Sequence, residues 1–397
     1  MKRAITANPI AWYYVMISLR SCDFLGAVLI PFFTDWGHIS QGSIQFLESW
    51  FFLWATILDI PTGIIADRIP RKYAMAFGIF CSALGFLLYG SVSSFPVFMV
   101  AEVIIAIGIA FISGAEEAWL SGTLTDLGRR QEASIVSGRA VSVSSFSRML
   151  TAPLGTIIAL SWGLNAPILC YAIPASFAGI IMLLMPEPQK NGSAHKMTMT
   201  ATARVGFSFI WKSRELRSIT INAALVGVAG YFVIWLYQPL LRQASVPIVY
   251  FGLMHTVLSG AQLLIAGSFH IFARVFRSDQ RFIRFMALAT TLAFIVPVLY
   301  PHLSTALFFV IIGGGFGLTR RQAMFRHIND HIPTEEENRK ATIMSIISFV
   351  QRLMIALCNP LVGVLATYSL RITLGLLAIL PFWAWIFSPH SKNEDAS

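Results

Sequence analysis

Twelve stretches of this chain are each apolar over about 20 residues, the length that an α-helix needs to cross the hydrocarbon core of a bilayer. Six of them precede a polar stretch from Glu187 to Arg217, and six follow it. Their approximate limits are about 10–33, 43–65, 73–92, 96–121, 134–160, 166–186, 218–240, 250–273, 282–300, 303–322, 341–367 and 372–388.

The predicted fold class is therefore an all-α integral membrane protein with twelve transmembrane helices. We expect an N-terminal six-helix bundle over residues 1–187, a cytoplasmic linker over 188–216 and a C-terminal six-helix bundle over 217–397. A weak repeat favours two pseudo-symmetric bundles. The fifth span reads Ser145-Phe146-Ser147-Arg148, and the eleventh reads Ser348-Phe349-Val350-Gln351-Arg352.

The composition excludes an ordinary soluble protein. The chain is 56% apolar and 12% charged, whereas soluble domains carry about 25% charged residues. The four cysteines lie inside apolar stretches without metal-ligand spacing, so we expect no disulfide, no metal and no cofactor. The net charge of +10 comes mostly from short connections. The expected surroundings are lipid, and we expect no nucleic-acid partner.

Lysine and arginine are unequally distributed between alternate connections. With a cytoplasmic N-terminus, only Arg242 and Arg371 fall on the outer side, and four arginines lie within the spans. This asymmetry predicts that both termini and the linker are cytoplasmic. Short loops and the lack of disulfides favour a bacterial inner membrane. We also expect the protein to be a monomer.

A short polar turn joins the second and third spans, with the sequence Gly63-Ile64-Ile65-Ala66-Asp67-Arg68-Ile69-Pro70-Arg71-Lys72. Its one acid and three bases require water, Gly63 is expected to let the backbone turn, and Pro70 suits the first turn of the next helix. The pattern G-x-x-A-D-R-x-x-R-K resembles the signature loop between helices 2 and 3 of the major facilitator superfamily. Pro70 stands where that family usually has glycine.

This resemblance implies a secondary transporter in which two six-helix bundles rock around a site at mid-membrane depth. It also implies that Asp67 holds the cytoplasmic ends of the bundles together by facing the N-terminus of helix 11, where an anion is favoured. The residues implied in this conformational gate are Gly63, Asp67, Arg68, Arg71 and Lys72. The alternative is a solvated loop that only orients the protein.

Charges within the spans indicate where an aqueous cavity would lie, because a charge at the bilayer centre costs several kcal/mol unless it faces protein or water. Arg20 and Asp23 are three residues apart and are predicted to share one helix face. By sequence depth they lie near mid-membrane. The other candidates for the substrate or proton site are Glu116, Arg148, Arg352 and, among aromatic residues, Tyr231 and Trp235.

Two interpretations of these charges stay open. In the first, they form a neutralising pair that holds helix 1 to helix 5 without a substrate role. In the second, Arg20, Arg148 and Arg352 bind an anionic group, which arginine grips with two parallel hydrogen bonds. Asp23 is also a candidate proton carrier, because burial raises the pKa of a carboxyl group and an adjacent arginine lowers it.

The expected function is transport of a small solute by alternating access, coupled to protons, with an anionic or zwitterionic substrate. One alternative is a proton-antiport efflux pump for amphipathic drugs. Another is a membrane sensor or scaffold that does not transport. We expect no enzyme activity, because the sequence shows no nucleotide-binding, nucleophile–base or metal pattern.

Overall fold

The computed structural model describes residues 2–189, 214–320, 323–324 and 337–387. Within these ranges the regular structure is entirely helical, without a strand. The chain divides into two compact units. The first comprises Met1–Lys196 and Ile248–Thr256, and the second comprises Met197–Pro247 and Val257–Ser397. The predicted linker over 188–216 falls largely outside the described residues, and the predicted domain limits stay a prediction.

The first unit contains eight helices in the described part of the chain. Between α2 and α4 lie a 3₁₀ turn at Gly26–Val28, the short α3, and a π-helical segment at Phe32–Trp36. The helices are α1 Lys2–Ala7, α2 Pro9–Arg20, α3 Leu29–Pro31, α4 Gln41–Arg68, α5 Arg71–Ser91, α6 Phe95–Asp126, α7 Ala133–Trp162 and α8 Ala166–Leu184. The first predicted span, expected to be one helix over about 10–33, is thus broken after Arg20.

Helices of the second unit follow the same pattern of long apolar segments. A π-helical segment at Phe309–Gly317 continues α13, and the first residues of α10, through Thr256, belong to the first unit. The helices are α9 Arg214–Gln243, α10 Phe251–Gly267, α11 Phe269–Phe276, α12 Asp279–Leu299, α13 Leu303–Phe308, α14 Glu337–Tyr368 and α15 Leu370–Ile386.

Nine helices in the described ranges are long and apolar enough to cross a membrane. They support the predicted all-α membrane class, and the count of twelve spans stays a prediction. The core of the first unit is built by apolar side chains of α2, α5, α6 and α8 around Trp119, which is fully buried. This core holds α2 near α6, and the Arg20–Glu116 ion pair described below lies where these two helices meet.

Arg320 lies near the end of the tenth predicted span and is only 1% exposed. Its guanidinium donates to the Ile283 carbonyl over 2.7 Å and to the Asn222 side-chain oxygen. A buried charge needs such partners. Arg320 therefore ties α9 and α12 together inside the second unit.

Candidate functional site

The first predicted span contains a break at Asp23. α2 ends at Arg20, and residues 21–25 are not helical. The Asp23 Oδ1 atom accepts a hydrogen bond of 2.7 Å from the Gly26 N–H. The Asp23 N–H itself donates to Thr151 Oγ1 of α7 over 2.9 Å. These two bonds satisfy backbone groups that a continuous helix would have satisfied internally, as a membrane requires.

The prediction that Arg20 and Asp23 share a helix face is wrong, because the helix ends before Asp23. An aspartate side chain competes with the helix for nearby backbone N–H groups, and here it binds that of Gly26. Gly155 of α7 makes room for the break. A Cβ atom at this position would overlap the carbonyl oxygen of Phe24.

Arg20 is paired with Glu116 of α6. The Arg20 guanidinium and the Glu116 carboxylate are 3.0 Å apart, and each side chain is about one-fifth exposed. Tyr13 donates its hydroxyl to the other carboxylate oxygen over 2.9 Å and stacks on Trp119. Tyr171 of α8 donates to the backbone carbonyl of Arg20 over 3.2 Å. The charges of Arg20 and Glu116 are therefore neutralised within the contact of α2 with α6.

A second group of charges surrounds the break. His255 Nε2 lies 3.6 Å from Asp23 Oδ2, and its side chain is almost fully buried. A Cβ atom on Gly26 would approach the His255 ring to 2.7 Å, so the break packs directly on this ring. Arg148 of α7 is partly buried, and the charges of Asp23 and Arg20 both act on it. The structure thus brings Asp23, Arg148 and His255 into one cluster in the first unit.

The contact of α2 with α7 is made by serine hydroxyl groups. Ser18 pairs with Ser147 and Ser21 pairs with Ser144, each over 2.8 Å. These hydrogen bonds between uncharged groups join the first span to the fifth span, which is α7. A charged clamp is therefore not needed there, and the Arg148 guanidinium forms no hydrogen bond with another described side chain.

Tyr231 and Trp235 lie one turn apart on α9 in the second unit. Their ring centroids are 6.4 Å apart. The Tyr231 hydroxyl accepts from the Asn359 amide of α14 over 3.4 Å. The Asn359 oxygen is buried and has no partner in the described ranges. Arg352 lies on the same helix, two turns before Asn359, and is partly buried. A shared cavity for Arg352 and the arginines of the first unit stays a prediction.

The signature loop is shorter than predicted. α4 continues through Gly63 to Arg68, and the turn consists of Ile69 and Pro70. The expectation that Gly63 bends the backbone is wrong. It lies inside the helix with open space around it, and the helix ends because the residue before a proline avoids helical angles. The prediction for Asp67 falls on a side chain outside the description.

Glu187, which follows α8, binds the first residues of α5. Its two carboxylate oxygens accept from the backbone N–H groups of Arg71 and Lys72 over 2.7 and 3.0 Å. An anion at a helix N-terminus is stabilised by the exposed N–H groups and the helix dipole. The Arg71 guanidinium donates to the Ala118 carbonyl of α6 over 2.7 Å, whereas Arg68 is exposed. Two of the predicted gate residues are therefore tied to α6 and α8.

One ion pair lies in the connection between α6 and α7. Arg129 donates to both carboxylate oxygens of Glu132, over 2.8 and 2.7 Å. These hydrogen bonds hold the pKa of the Glu132 carboxyl below its usual range. Both side chains are solvent-accessible, so the pair organises the loop rather than a binding site.

The family profile of the Major Facilitator Superfamily matches residues 14–359 of the chain. The chain belongs to the major facilitator superfamily. No curated protein sequence matches it. The resemblance first drawn from the loop Gly63–Lys72 is thus confirmed over most of the length, and with it the predicted fold class.

Solved structures of this superfamily share the fold at low sequence identity. An alanine variant of the nucleoside transporter NupG superimposes with a TM-score of 0.81 at 11% identity, covering 96% of this chain and all of that one. A bacterial homologue of the human lysosomal transporter Spinster, inward-facing and unoccupied, gives 0.75 at 15% identity over 96% and 95%. A D-xylose–proton symporter gives 0.69 at 12% identity over 97% and 99%.

The sequence does not indicate the interactions made by two residues, His255 and Glu187. Nothing in the local sequence of His255 connects it to Asp23, which is more than 200 residues away. Its only signal was a titratable ring within an apolar span. Glu187 is the first residue of the polar stretch after the sixth span, and its sequence position does not show that it meets the N-terminus of a different helix, where an anion is favoured.

Proposed function

We propose that this protein is a proton-coupled transporter of a small anionic or zwitterionic solute and that it works by alternating access. Membership of a superfamily of transporters supports the transport itself. Among the similar structures, one is a D-xylose–proton symporter by name, which supports coupling to protons. The substrate class rests on the charges of the first unit.

The surroundings of Arg148 are the observation that supports an anionic substrate. Glu116 already neutralises Arg20 at 3.0 Å. The charge of Asp23 acts on Arg148. One Asp23 carboxylate oxygen accepts a hydrogen bond from Gly26, and the other lies beside His255. The Arg148 guanidinium therefore keeps donors that match a carboxylate or phosphate group in a two-pronged geometry.

The same arrangement supports the proposed coupling to protons. Protonation of Asp23 would remove a negative charge beside Arg148, and protonation of His255 would add a positive charge there. An anion then binds more tightly to the protonated form, because a ligand favours the state with which it interacts better. Proton and anion would therefore move in the same direction. A cationic drug would prefer the deprotonated form and would exchange against the proton.

A thermal-shift screen of the purified protein with small carboxylates, phosphates, zwitterions and cationic drugs tests the substrate class. We expect stabilisation by anions or zwitterions, more strongly at lower pH. The best-stabilising compound is then tested for accumulation in proteoliposomes under an imposed pH gradient. Arg148→Gln is expected to weaken binding about tenfold or more, because hydrogen bonds to a charged group contribute about 1.5–3 kcal/mol.

Arg139→Gln is the matched control, since Arg139 is an exposed arginine of the same helix. Stabilisation by cationic drugs alone, with exchange against protons, would support the efflux alternative. Absence of accumulation for any stabilising compound would support a protein that binds without transporting.

A further inference from the structure

A buried acid lies in the first unit, away from the Arg20–Glu116 pair. Glu102 is 6% exposed and precedes Glu116 by 14 residues on α6, which is about 21 Å along the helix. Its carboxyl group accepts a hydrogen bond of 2.6 Å from the hydroxyl of Tyr89 on α5. The substrate cluster proposed above uses neither residue.

Aromatic rings enclose this hydrogen bond. Tyr89 stacks on Phe98 with a centroid distance of 5.0 Å and meets Phe33 and Phe32 edge-on at 5.6 and 6.2 Å. The last two rings come from the π-helical segment after the break in the first span. Tyr89 and Phe98 are almost fully buried. The carboxyl group therefore lies behind an apolar wall.

No base compensates a negative charge on Glu102 within the described residues. The charged group that acts on it is another acid, Glu48 of α4, which also acts on Tyr89. An ionised carboxylate buried without a positive partner costs several kcal/mol, even after relaxation. A neutral carboxylic acid avoids this cost and keeps the hydrogen bond with Tyr89.

Gln45 adds an independent sign of a polar pocket. It lies three residues before Glu48, on the same face of α4, and its side chain is fully buried. Both polar atoms of its amide lack a protein partner in the described ranges. Buried polar groups are nearly always satisfied, if not by protein then by a small ligand such as water. A water beside Gln45 would give the two acids a route for proton exchange.

We propose that Glu102 is a proton-binding site. It holds the proton as a carboxylic acid bonded to Tyr89, and Glu48 beside it disfavours a second negative charge in the pocket. On release, the O–H bond of Glu102 breaks, and the proton passes to water or to the Glu48 carboxylate. The Tyr89 hydroxyl then donates to the resulting anion. This site stands independently of any role of Asp23 or Arg148 in transport.

Infrared spectroscopy of the purified full-length protein in lipid nanodiscs tests this inference without any substrate. We expect the C=O stretching band of a protonated carboxylic acid at neutral pH, disappearing reversibly at alkaline pH. Glu102→Gln should lose the intensity of one carboxylic acid. Glu117→Gln, which changes an exposed acid of the same helix, should leave the band unchanged.

Tyr89→Phe serves as a second variant, which keeps the test decisive if Glu102→Gln does not fold. Loss of the tyrosine hydrogen bond should shift the band to higher frequency. A wild-type spectrum without the band overturns the inference. So does an identical band in Glu102→Gln, or an unshifted one in Tyr89→Phe. Because the readout needs no transport, a failed transport assay and a failed proton site remain distinguishable.

Discussion

The Arg20 guanidinium lies 3.0 Å from the carboxylate of Glu116, and this pair closes the contact between α2 and α6 one residue before the first span breaks. The sequence had suggested Asp23 as the acid beside Arg20. With Arg20 committed to Glu116, Asp23 faces His255 instead, and the two halves of the charged region have separate tasks. One holds helices together, and the other is the site that we propose for ligand and proton.

The first prediction follows from the Arg20–Glu116 pair. Glu116→Gln leaves a half-buried guanidinium without its counter-charge and should lower the free energy of unfolding by about 1–3 kcal/mol. Arg20→Gln in the same chain removes the orphaned charge and should restore part of the loss. Thermal melting in detergent of both single variants and the double variant gives the coupling between the two positions. Strictly additive losses would show that the pair contributes nothing as a pair.

The second prediction concerns Asp23. Asp23→Asn keeps the size of the side chain and an oxygen that accepts from Gly26, so the break and the folding should be retained. It removes the titratable group. We expect exchange of the screened solute across proteoliposome membranes to persist, while accumulation driven by a pH gradient is lost. Asp35→Asn, at an exposed acid beyond the break, should behave as wild type. Unchanged pH-driven accumulation in Asp23→Asn would remove Asp23 from the mechanism.

The positions of the membrane spans were easier to predict than the local geometry within them. The spans follow from the length of apolar stretches, because lipid tolerates little else. The break at Asp23 could not be predicted in this way. It depends on one side-chain bond to Gly26 and on the space that Gly155 leaves on a different helix, about 130 residues away.

The sequence also does not predict which charges pair. Either Asp23 or Glu116 could be the partner of Arg20, and only the contact of α2 with α6 selects Glu116. The end of α4 shows the opposite error. Gly63 was expected to be a turn residue, yet an isolated glycine is tolerated within a helix, and the helix continues to Arg68, just before Ile69 and Pro70.

The third prediction tests the close approach at the break. Gly155→Ala places a methyl group against the Phe24 carbonyl, and overpacking of this kind costs about 1–3 kcal/mol. Gly138→Ala is a matched control on α7, because no atom lies within 4 Å of the added Cβ. It should be neutral or stabilising by about 0.5–1 kcal/mol through helix propensity. Equal melting temperatures for the two variants would show that the break does not press on α7.

The fourth prediction concerns the anchor of the signature loop. Glu187 accepts both backbone N–H groups at the start of α5, so Glu187→Ala leaves two donors and the positive end of the helix dipole unsatisfied. We expect a loss of about 1–2 kcal/mol in the free energy of unfolding. Glu187→Gln keeps one acceptor and should lose about half as much, and the difference between the two variants should shrink at high salt.

Glu117→Gln removes an exposed acid of α6 instead, and its melting temperature should match wild type. If transport depends on where Arg71 and Lys72 are held, Glu187→Ala should slow exchange of the screened solute more than its stability loss explains. This is because the first residues of α5 would lose both of their backbone hydrogen bonds to the segment that follows α8. A variant that is less stable but exchanges at the wild-type rate would leave Glu187 as a helix cap without a part in the gate.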